Sequence, residues 1–134
     1  MNAVELLLGM ETGKLSEVPT KEKKMKRLSE LTGQPFVVKM KALPGRKITE
    51  LTAIAYNKKG EMNTGQAFDT NAMIAAEGMV EPDLKNKELQ KHFGVATPKD
   101  LAEKLFLGGE IVDLADAVRS RSGYDEETDD DVKN

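Results

Sequence analysis

Apolar residues recur at helical spacing along much of the chain, and short polar segments separate the periodic stretches. The clearest stretch, near the C-terminus, has four apolar residues at positions i, i+3, i+4 and i+7: Ile111, Leu114, Ala115 and Val118. This spacing predicts a helix with one buried face. Gly108-Gly109 precedes it and is expected to separate it from the helix before.

Helix start and stop signals frame the preceding segments. Gly94 is predicted to take the left-handed conformation just past a helix end, with Val95 covering the last turn. Thr97-Pro98-Lys99-Asp100 is typical of a helix start, with a hydroxyl cap, proline in the first position and a nearby carboxylate. Pro82 predicts a corner, because the residue before a proline disfavours helix. Three residues are expected to line the helix after that corner: Leu84, Leu89 and Phe93.

Two further helices are predicted in the middle of the chain. The first follows Leu43-Pro44-Gly45 and places four residues on one face: Ile48, Leu51, Thr52 and Ala55. The polar, glycine-containing segment Asn57–Gly65 is expected to be a loop. Asp69 or Thr70 is the expected cap of the second helix, which ends near Gly78. Its apolar residues are Met73, Ile74 and Ala76.

The N-terminal segment predicts one short helix followed by a connector. Asn2–Met10 has Val4, Leu7 and Leu8 on one side, as expected for a short apolar helix. Glu11–Pro19 is polar and is interpreted as a connector.

One strand is predicted at Phe36–Ala42, which is rich in β-branched and aromatic residues and bounded by proline and glycine. A lone strand leaves its backbone groups unpaired, so it needs a partner. The segment Thr20–Leu31 is ambiguous, because its isolated apolar residues fit either a helical face or a lysine-lined strand. The nearest candidate partner is Glu22–Leu28, joined to the strand through Ser29–Pro35.

These elements predict an α+β fold dominated by helices. The expected sheet is one two-stranded antiparallel hairpin near the N-terminal third. Residues 1–124 are interpreted as a single domain, since 134 residues suit one core. Residues 125–134 have only Val132 as an aliphatic residue and are expected to form a disordered acidic tail.

Composition narrows the class of protein. The chain has no cysteine, so disulfides and zinc thiolates are excluded. It also lacks an apolar run near the roughly 20 residues that a membrane helix needs. Val4-Glu5-Leu6-Leu7-Leu8 is too short for a signal peptide and has no basic flank before it. The expected location is therefore the cytosol.

Charge is distributed unevenly along the chain. Lys21–Lys47 has nine basic and two acidic residues, a net charge of +7. Residues 125–134 have six acids and one lysine, a net charge of -5. The rest of the chain without this tail has 19 basic and 17 acidic residues, or +2. Such asymmetry is typical of an interaction tail or of self-association through opposite charges.

An ordered series of short motifs resembles the XkdN-like family of phage tail assembly chaperones, from about Thr20 onward. The matching motifs, in chain order, are Arg27-Leu28-Ser29-Glu30-Leu31 with Gly33 and Pro35, Ala42-Leu43-Pro44-Gly45, Glu77-Gly78, Val80-Glu81-Pro82-Asp83-Leu84, Gly94-Val95-Ala96-Thr97-Pro98, Gly109-Glu110-Ile111 and Ser122-Gly123-Tyr124. An acidic C-terminal end completes the pattern.

The resemblance implies a non-enzymatic assembly factor of the bacterial host cytoplasm that is not expected in the mature virion. Its expected partner is the phage tape-measure protein, kept soluble until the major tail protein, a possible second partner, polymerises around it. The resemblance also implies a longer product made by translational frameshifting. It supplies no catalytic, cofactor-binding or metal-binding residues.

The candidate chemical residues have simpler interpretations. His92 lacks converging partners and is interpreted as a solvated residue near a helix end. The carboxylate pairs Glu77/Glu81 and Asp113/Asp116 are interpreted as solvated helix faces. No glycine run fits a phosphate loop, so four glycines are interpreted as corners: Gly60, Gly65, Gly108 and Gly109. The seven methionines are interpreted as core filler in preference to a client-binding surface.

Two alternative functions remain open. The basic segment Lys21–Lys47 would suit a small nucleic-acid-binding module, although Phe36 is its one aromatic residue and no stacking platform is present. Nucleic-acid binding is therefore not the expected function. A minor structural tail protein would fit the same family context, but such subunits need a larger sheet than this sequence predicts.

Overall fold

The computed structural model describes residues 1–124; the predicted acidic tail, 125–134, lies outside the described residues. A 3-10 helix at Thr12–Ser16 lies within the predicted polar connector. The other elements, in chain order, are α1 (Ala3–Leu8), β1 (Thr20–Lys24), α2 (Lys26–Thr32), β2 (Val37–Lys41), α3 (Gly45–Ala53), α4 (Thr64–Gly78), β3 (Met79–Glu81), α5 (Lys87–His92), α6 (Pro98–Leu105) and α7 (Gly108–Arg121).

The predicted fold class, α+β and mostly helical with a small antiparallel sheet, is confirmed. The sheet has three strands in the order β1-β2-β3, with β2 antiparallel to both neighbours. The predicted two-stranded hairpin is therefore wrong by one strand. Because β3 has only three residues, it is too short to show the alternation that identifies a strand in sequence.

The ambiguous segment before β2 is part strand and part helix. β1 ends at Lys24 and α2 begins at Lys26, so the predicted strand Glu22–Leu28 and the loop Ser29–Pro35 are both wrong in part. Ser29 links the helix to the next strand: its hydroxyl donates to the Met25 carbonyl at 2.7 Å and accepts from the Phe36 N–H at 2.9 Å. One side chain thus holds α2 against the start of β2.

Helix α4 lies at the centre of the core, in contact with α3, α6, α7 and β2. It begins earlier than predicted, because Asn63 caps it by accepting from the Gln66 N–H at 3.0 Å. The predicted caps Asp69 and Thr70 lie inside the helix. The Thr70 hydroxyl instead donates to the Leu51 carbonyl at 3.0 Å and so links α4 to α3.

The C-terminal predictions are largely confirmed. Gly94 has a φ of 71° after α5, and the Thr97 side chain caps α6 with Pro98 in its first turn. The predicted face of α7 is buried. Gly108 and Gly109, however, form the first turn of α7 rather than a separator.

The helix before Gly94 is shorter than predicted. α5 begins at Lys87, so of the three predicted residues only Leu89 lies within it. Leu84 precedes the helix and is buried in the core, whereas Phe93 follows it and is partly exposed. Similarly, Ala55 lies beyond the end of α3 but is still buried.

An ion pair joins the N-terminal and C-terminal parts of the core. Arg27 of α2 donates to Glu110 Oε1 at 2.8 Å and to the Leu105 carbonyl at 2.7 Å. Glu110 Oε1 also accepts from the Leu107 N–H at 2.7 Å. Burial raises the pKa of Glu110, but the hydrogen bonds from Arg27 and Leu107 more than offset this, so its pKa is lowered below 4.5.

We expect Glu110→Gln to lower the free energy of unfolding by about 1–2 kcal/mol at pH 7, because it weakens charge-assisted hydrogen bonds. A carboxyl group whose pKa is lowered by folding stabilises the protein above its unfolded pKa, and this contribution is lost as the pH falls through the folded value. The difference from wild type should therefore shrink between pH 5 and pH 3 in urea denaturation. Glu30→Gln, at an exposed site on α2, is the control and should change stability little at either pH.

Candidate functional site

An open apolar cleft of about 320 Å³ lies where α3, α4 and the start of α6 meet. Its apolar lining consists of Leu51, Met73, Ala76 and Pro98. Pro98, in the first turn of α6, and three residues in the C-terminal half of α4, Met73, Ala76 and Glu77, contribute to the lining of the cleft. We call it the α4–α6 cleft.

Two charged side chains, Glu77 and Lys99, line the α4–α6 cleft, and three further carboxylates surround Lys99 at its rim. Lys99 Nζ lies 3.0 Å from Glu103 Oε2, 3.3 Å from Asp69 Oδ1 and 3.7 Å from Asp100 Oδ1. The Glu103 hydrogen bond raises the pKa of Lys99; burial opposes the rise and Asp69 adds to it, with a net upward shift. Glu77, also on the rim, lies 3.7 Å from Lys85. Four carboxylates thus surround two lysines, so the rim favours a ligand with basic groups beside its apolar residues.

A second apolar surface is lined by residues of α3 and of the segment after it, none of them shared with the α4–α6 cleft. It consists of two adjoining clefts of about 300 and 280 Å³ that share Thr52 and Tyr56. Ala53 and Tyr124 also line the first cleft, and Met62 also lines the second. Residues 45–62 contain four basic and two acidic residues, a net charge of +2. This segment supplies much of the lining, which also includes Arg119. We call the region the α3 surface.

Residues 1–18 form an arm whose apolar side chains are exposed. The predicted helix is present as α1, but none of its residues is buried. The predicted apolar side is 64% exposed at Val4, 62% at Leu7 and 81% at Leu8. The arm contains three glutamates and one lysine, a side-chain charge of -2. We call it the N-terminal arm.

The basic segment Lys21–Lys47 does not form one positive face. Lys21 and Lys23 line a cleft together with Asp113 and Asp116 of α7. Lys39 pairs across the sheet with Glu22 on β1 and Glu81 on β3, an alternation of charge that favours strand pairing. Arg27 is engaged with Glu110. Four of the nine basic residues thus lie beside acidic side chains on different elements, so the segment does not present a single positive face.

The candidate chemical residues are not brought together. His92 is exposed, and its ring meets the Phe93 ring edge-on, with 4.9 Å between the two ring centroids. Asp116 pairs with Arg119 at 3.2 Å. Over residues 1–124, no three His, Cys, Asp or Glu side chains are grouped as a metal site would require. Nor does this described part contain a helix of the length and apolarity that crossing a membrane demands.

The prediction that the methionines are core filler holds for three of the seven. Met25, Met40 and Met79 are buried, whereas Met62 is 58% exposed on the α3 surface. Met73, only partly buried, lines the α4–α6 cleft. Of the four glycines interpreted as corners, Gly60 has a positive φ, but Gly65, Gly108 and Gly109 lie inside helices and are not corners.

The motifs that carry the family resemblance meet one another in space. Besides the Arg27–Glu110 pair, the Leu43 N–H donates to the Ser122 hydroxyl at 2.9 Å, which ties the start of α3 to the end of α7. Gly78 of α4 lies directly against Val118 of α7. These motif residues therefore hold the helices in place, while two other motif residues, Pro98 and Tyr124, line the α4–α6 cleft and the α3 surface respectively.

Sequence reasoning did not find the α4–α6 cleft. Its lining residues are spread over about fifty residues of the chain. In the sequence pattern, Leu51 and Ala76 are indistinguishable from ordinary core positions. The partial exposure of Met73 has no counterpart in the sequence pattern. Only the N-terminal arm left a signal, because Val4, Leu7 and Leu8 belong to a helix too short to be stable alone.

Comparisons with known proteins give one family and one fold. The model of the phage XkdN-like tail assembly chaperone protein family matches residues 4–134. The crystal structure of a protein named YqbN superposes with a TM-score of 0.61 at 24% sequence identity, covering 81% of this chain and 88% of that chain. This similarity concerns the fold alone. A search of curated protein sequences gave no match.

Proposed function

From the premise that the chain belongs to the phage XkdN-like tail assembly chaperone family, we propose that it binds the tape-measure protein and keeps it soluble while the tail tube assembles. In this role it acts by binding, without catalysis, in the cytoplasm of the bacterial host. It is released before the virion is complete, when the major tail protein encloses the client.

The observation that carries the proposal is the open α4–α6 cleft. A long helical client exposes apolar stripes until a tube encloses it, and a groove of apolar residues is the usual receptor for such a helix. Met73 suits a surface that must accept several client segments, because its side chain is unbranched and adaptable. The four rim carboxylates would select stripes flanked by lysine or arginine.

We expect co-expression with the tape-measure protein of the same gene cluster to raise that protein's soluble fraction severalfold. Met73→Gln should abolish most of this increase, because it places an amide in the apolar floor of the cleft. Met62→Gln is the matched control, since it makes the same change at an exposed methionine on the α3 surface. The soluble fraction is measured by centrifugation and quantitative blotting, and melting temperatures establish that both variants fold.

A different pattern of results would reject the proposal. If Met73→Gln and Met62→Gln leave the soluble fraction unchanged, the α4–α6 cleft is not the client site. If charge reversal of Lys23, Lys24, Lys39 and Lys41 abolishes function, and DNA binding falls steeply with salt, the protein is a nucleic-acid-binding module. Stoichiometric amounts in purified virions would instead identify a minor structural tail protein.

A further inference from the structure

We propose that the N-terminal arm of one copy docks on the α3 surface of a second copy, and that reciprocal exchange of the two arms forms a dimer. This inference concerns self-association and goes beyond the proposed client binding, which uses the α4–α6 cleft, a region that shares no lining residue with the α3 surface.

The N-terminal arm needs a surface to pack on. α1 has six residues and none is buried, and helices this short are marginal in water unless an apolar face is packed. The exposed apolar residues extend past α1 to Leu15, 75% exposed, and Val18, 52% exposed. An apolar segment of this length is typical of an interaction element.

Charge selects the α3 surface over the α4–α6 cleft. The arm has a side-chain charge of -2, and residues 45–62 around the α3 surface have +2. The rim of the α4–α6 cleft is acidic and would repel the arm's glutamates. Complementary potentials of this kind determine which of two apolar surfaces a segment prefers.

A second copy is the occupant that fits best. The chain's own arm leaves the α3 surface open, since Tyr56 is 48% and Met62 58% exposed there. Residues 125–134 follow Tyr124 at the edge of this surface and are acidic. Their charge is opposite to that of residues 45–62, but Val132 is their only aliphatic residue, so they cannot fill the apolar floor. Reciprocal docking also closes into a two-fold dimer, the commonest form of self-association.

Disulfide trapping tests the contact directly, because the chain has no cysteine of its own. Leu7→Cys in one tagged chain is mixed with Ala53→Cys in a chain of different mass, and the mixture is oxidised. We expect a heterodimer joined by a disulfide between positions 7 and 53. The matched control partner is Ala96→Cys, an equally small change at an exposed residue beside the α4–α6 cleft, which should give at least tenfold less heterodimer.

Sedimentation equilibrium gives a second, independent measurement. The full chain should form a dimer, and Leu7→Ser should raise its dissociation constant at least tenfold. Leu31→Ser, at a leucine of α2 that is 71% exposed, should leave the constant unchanged. Neither leucine is in the core, so both variants should keep the wild-type far-ultraviolet circular dichroism spectrum at 25 °C, which shows that they fold.

Several results would overturn the proposal. Equal trapping by the Ala53→Cys and Ala96→Cys chains would mean that the arm does not select the α3 surface. A full chain that is monomeric at several hundred micromolar would exclude arm exchange. Trapping that appears only when the chain is ended after Tyr124 would show that residues 125–134 occupy the surface in the full chain. Since none of these experiments contains the client, their failure leaves the proposed function standing.

Discussion

Leu114→Asp should unfold the described part of the protein at room temperature. Leu114 is fully buried in the middle of α7, where it packs with the residues of α4 and the sheet that form the core. An unpaired carboxylate at this position would have no hydrogen-bond donor and no water. The loss of packing and the desolvation together cost more than about 4 kcal/mol, a large fraction of the roughly 5–15 kcal/mol that stabilise most domains.

The measurement is far-ultraviolet circular dichroism with thermal melting, and the control is Asp116→Ala two residues further along the same helix. Asp116 is exposed, and its pair with Arg119 is a surface ion pair that contributes at most about 1 kcal/mol. If Leu114→Asp remains folded, or if both variants lose the same amount of stability, the buried face of α7 has been assigned to the wrong residues.

The elements that sequence predicted well are those whose signals are local. α7 was predicted because four apolar residues repeat at the helical period, and that period alone determines which face is buried. Gly94 and Thr97 were predicted because a left-handed glycine and a hydroxyl cap act on the nearest backbone groups. Such signals need no knowledge of the rest of the chain.

The errors arose where tertiary contacts determine which elements form and where they begin. Thr70 has the chemistry of a cap, but in the structure its hydroxyl donates to a carbonyl of α3, and Asn63 caps the helix instead. β3 forms only because β2 offers it an edge. The segment Thr20–Leu31, which sequence left open between strand and helix, contains both, and the Ser29 hydroxyl links α2 to Phe36 at the start of β2. None of these partners can be identified from neighbouring residues.

The same distinction explains why the family was recognisable but the candidate site was not. The motif residues Arg27, Gly78, Glu110 and Ser122 hold elements together at fixed contacts, so they form an ordered pattern in the sequence. The cleft and the α3 surface are gaps between elements. Motif residues Pro98 and Tyr124 contribute to their linings, but most of the lining residues belong to no motif and are brought together only by the fold.

Gly78→Ala should lower the free energy of unfolding by about 1–3 kcal/mol, although alanine is the better helix former. Gly78 ends α4 where the helix lies directly on α7. A Cβ at this position would lie 2.5 Å from Val118 Cγ2 and 2.9 Å from Val118 Cγ1. Val118 is fully buried and β-branched, so it cannot rotate away, and the two helices must move apart.

Urea denaturation of Gly78→Ala and of a matched glycine variant tests this close approach. Gly109→Ala is the control: Gly109 lies in the first turn of α7, and a Cβ there meets nothing within 4 Å, so its stability should be unchanged or slightly raised. In the double variant Gly78→Ala/Val118→Ala, the smaller side chain at 118 makes room for the new methyl group. The total loss should therefore be less than the sum of the two single losses by at least about 0.5 kcal/mol. Additive losses would mean that the methyl group at position 78 is accommodated without displacing Val118.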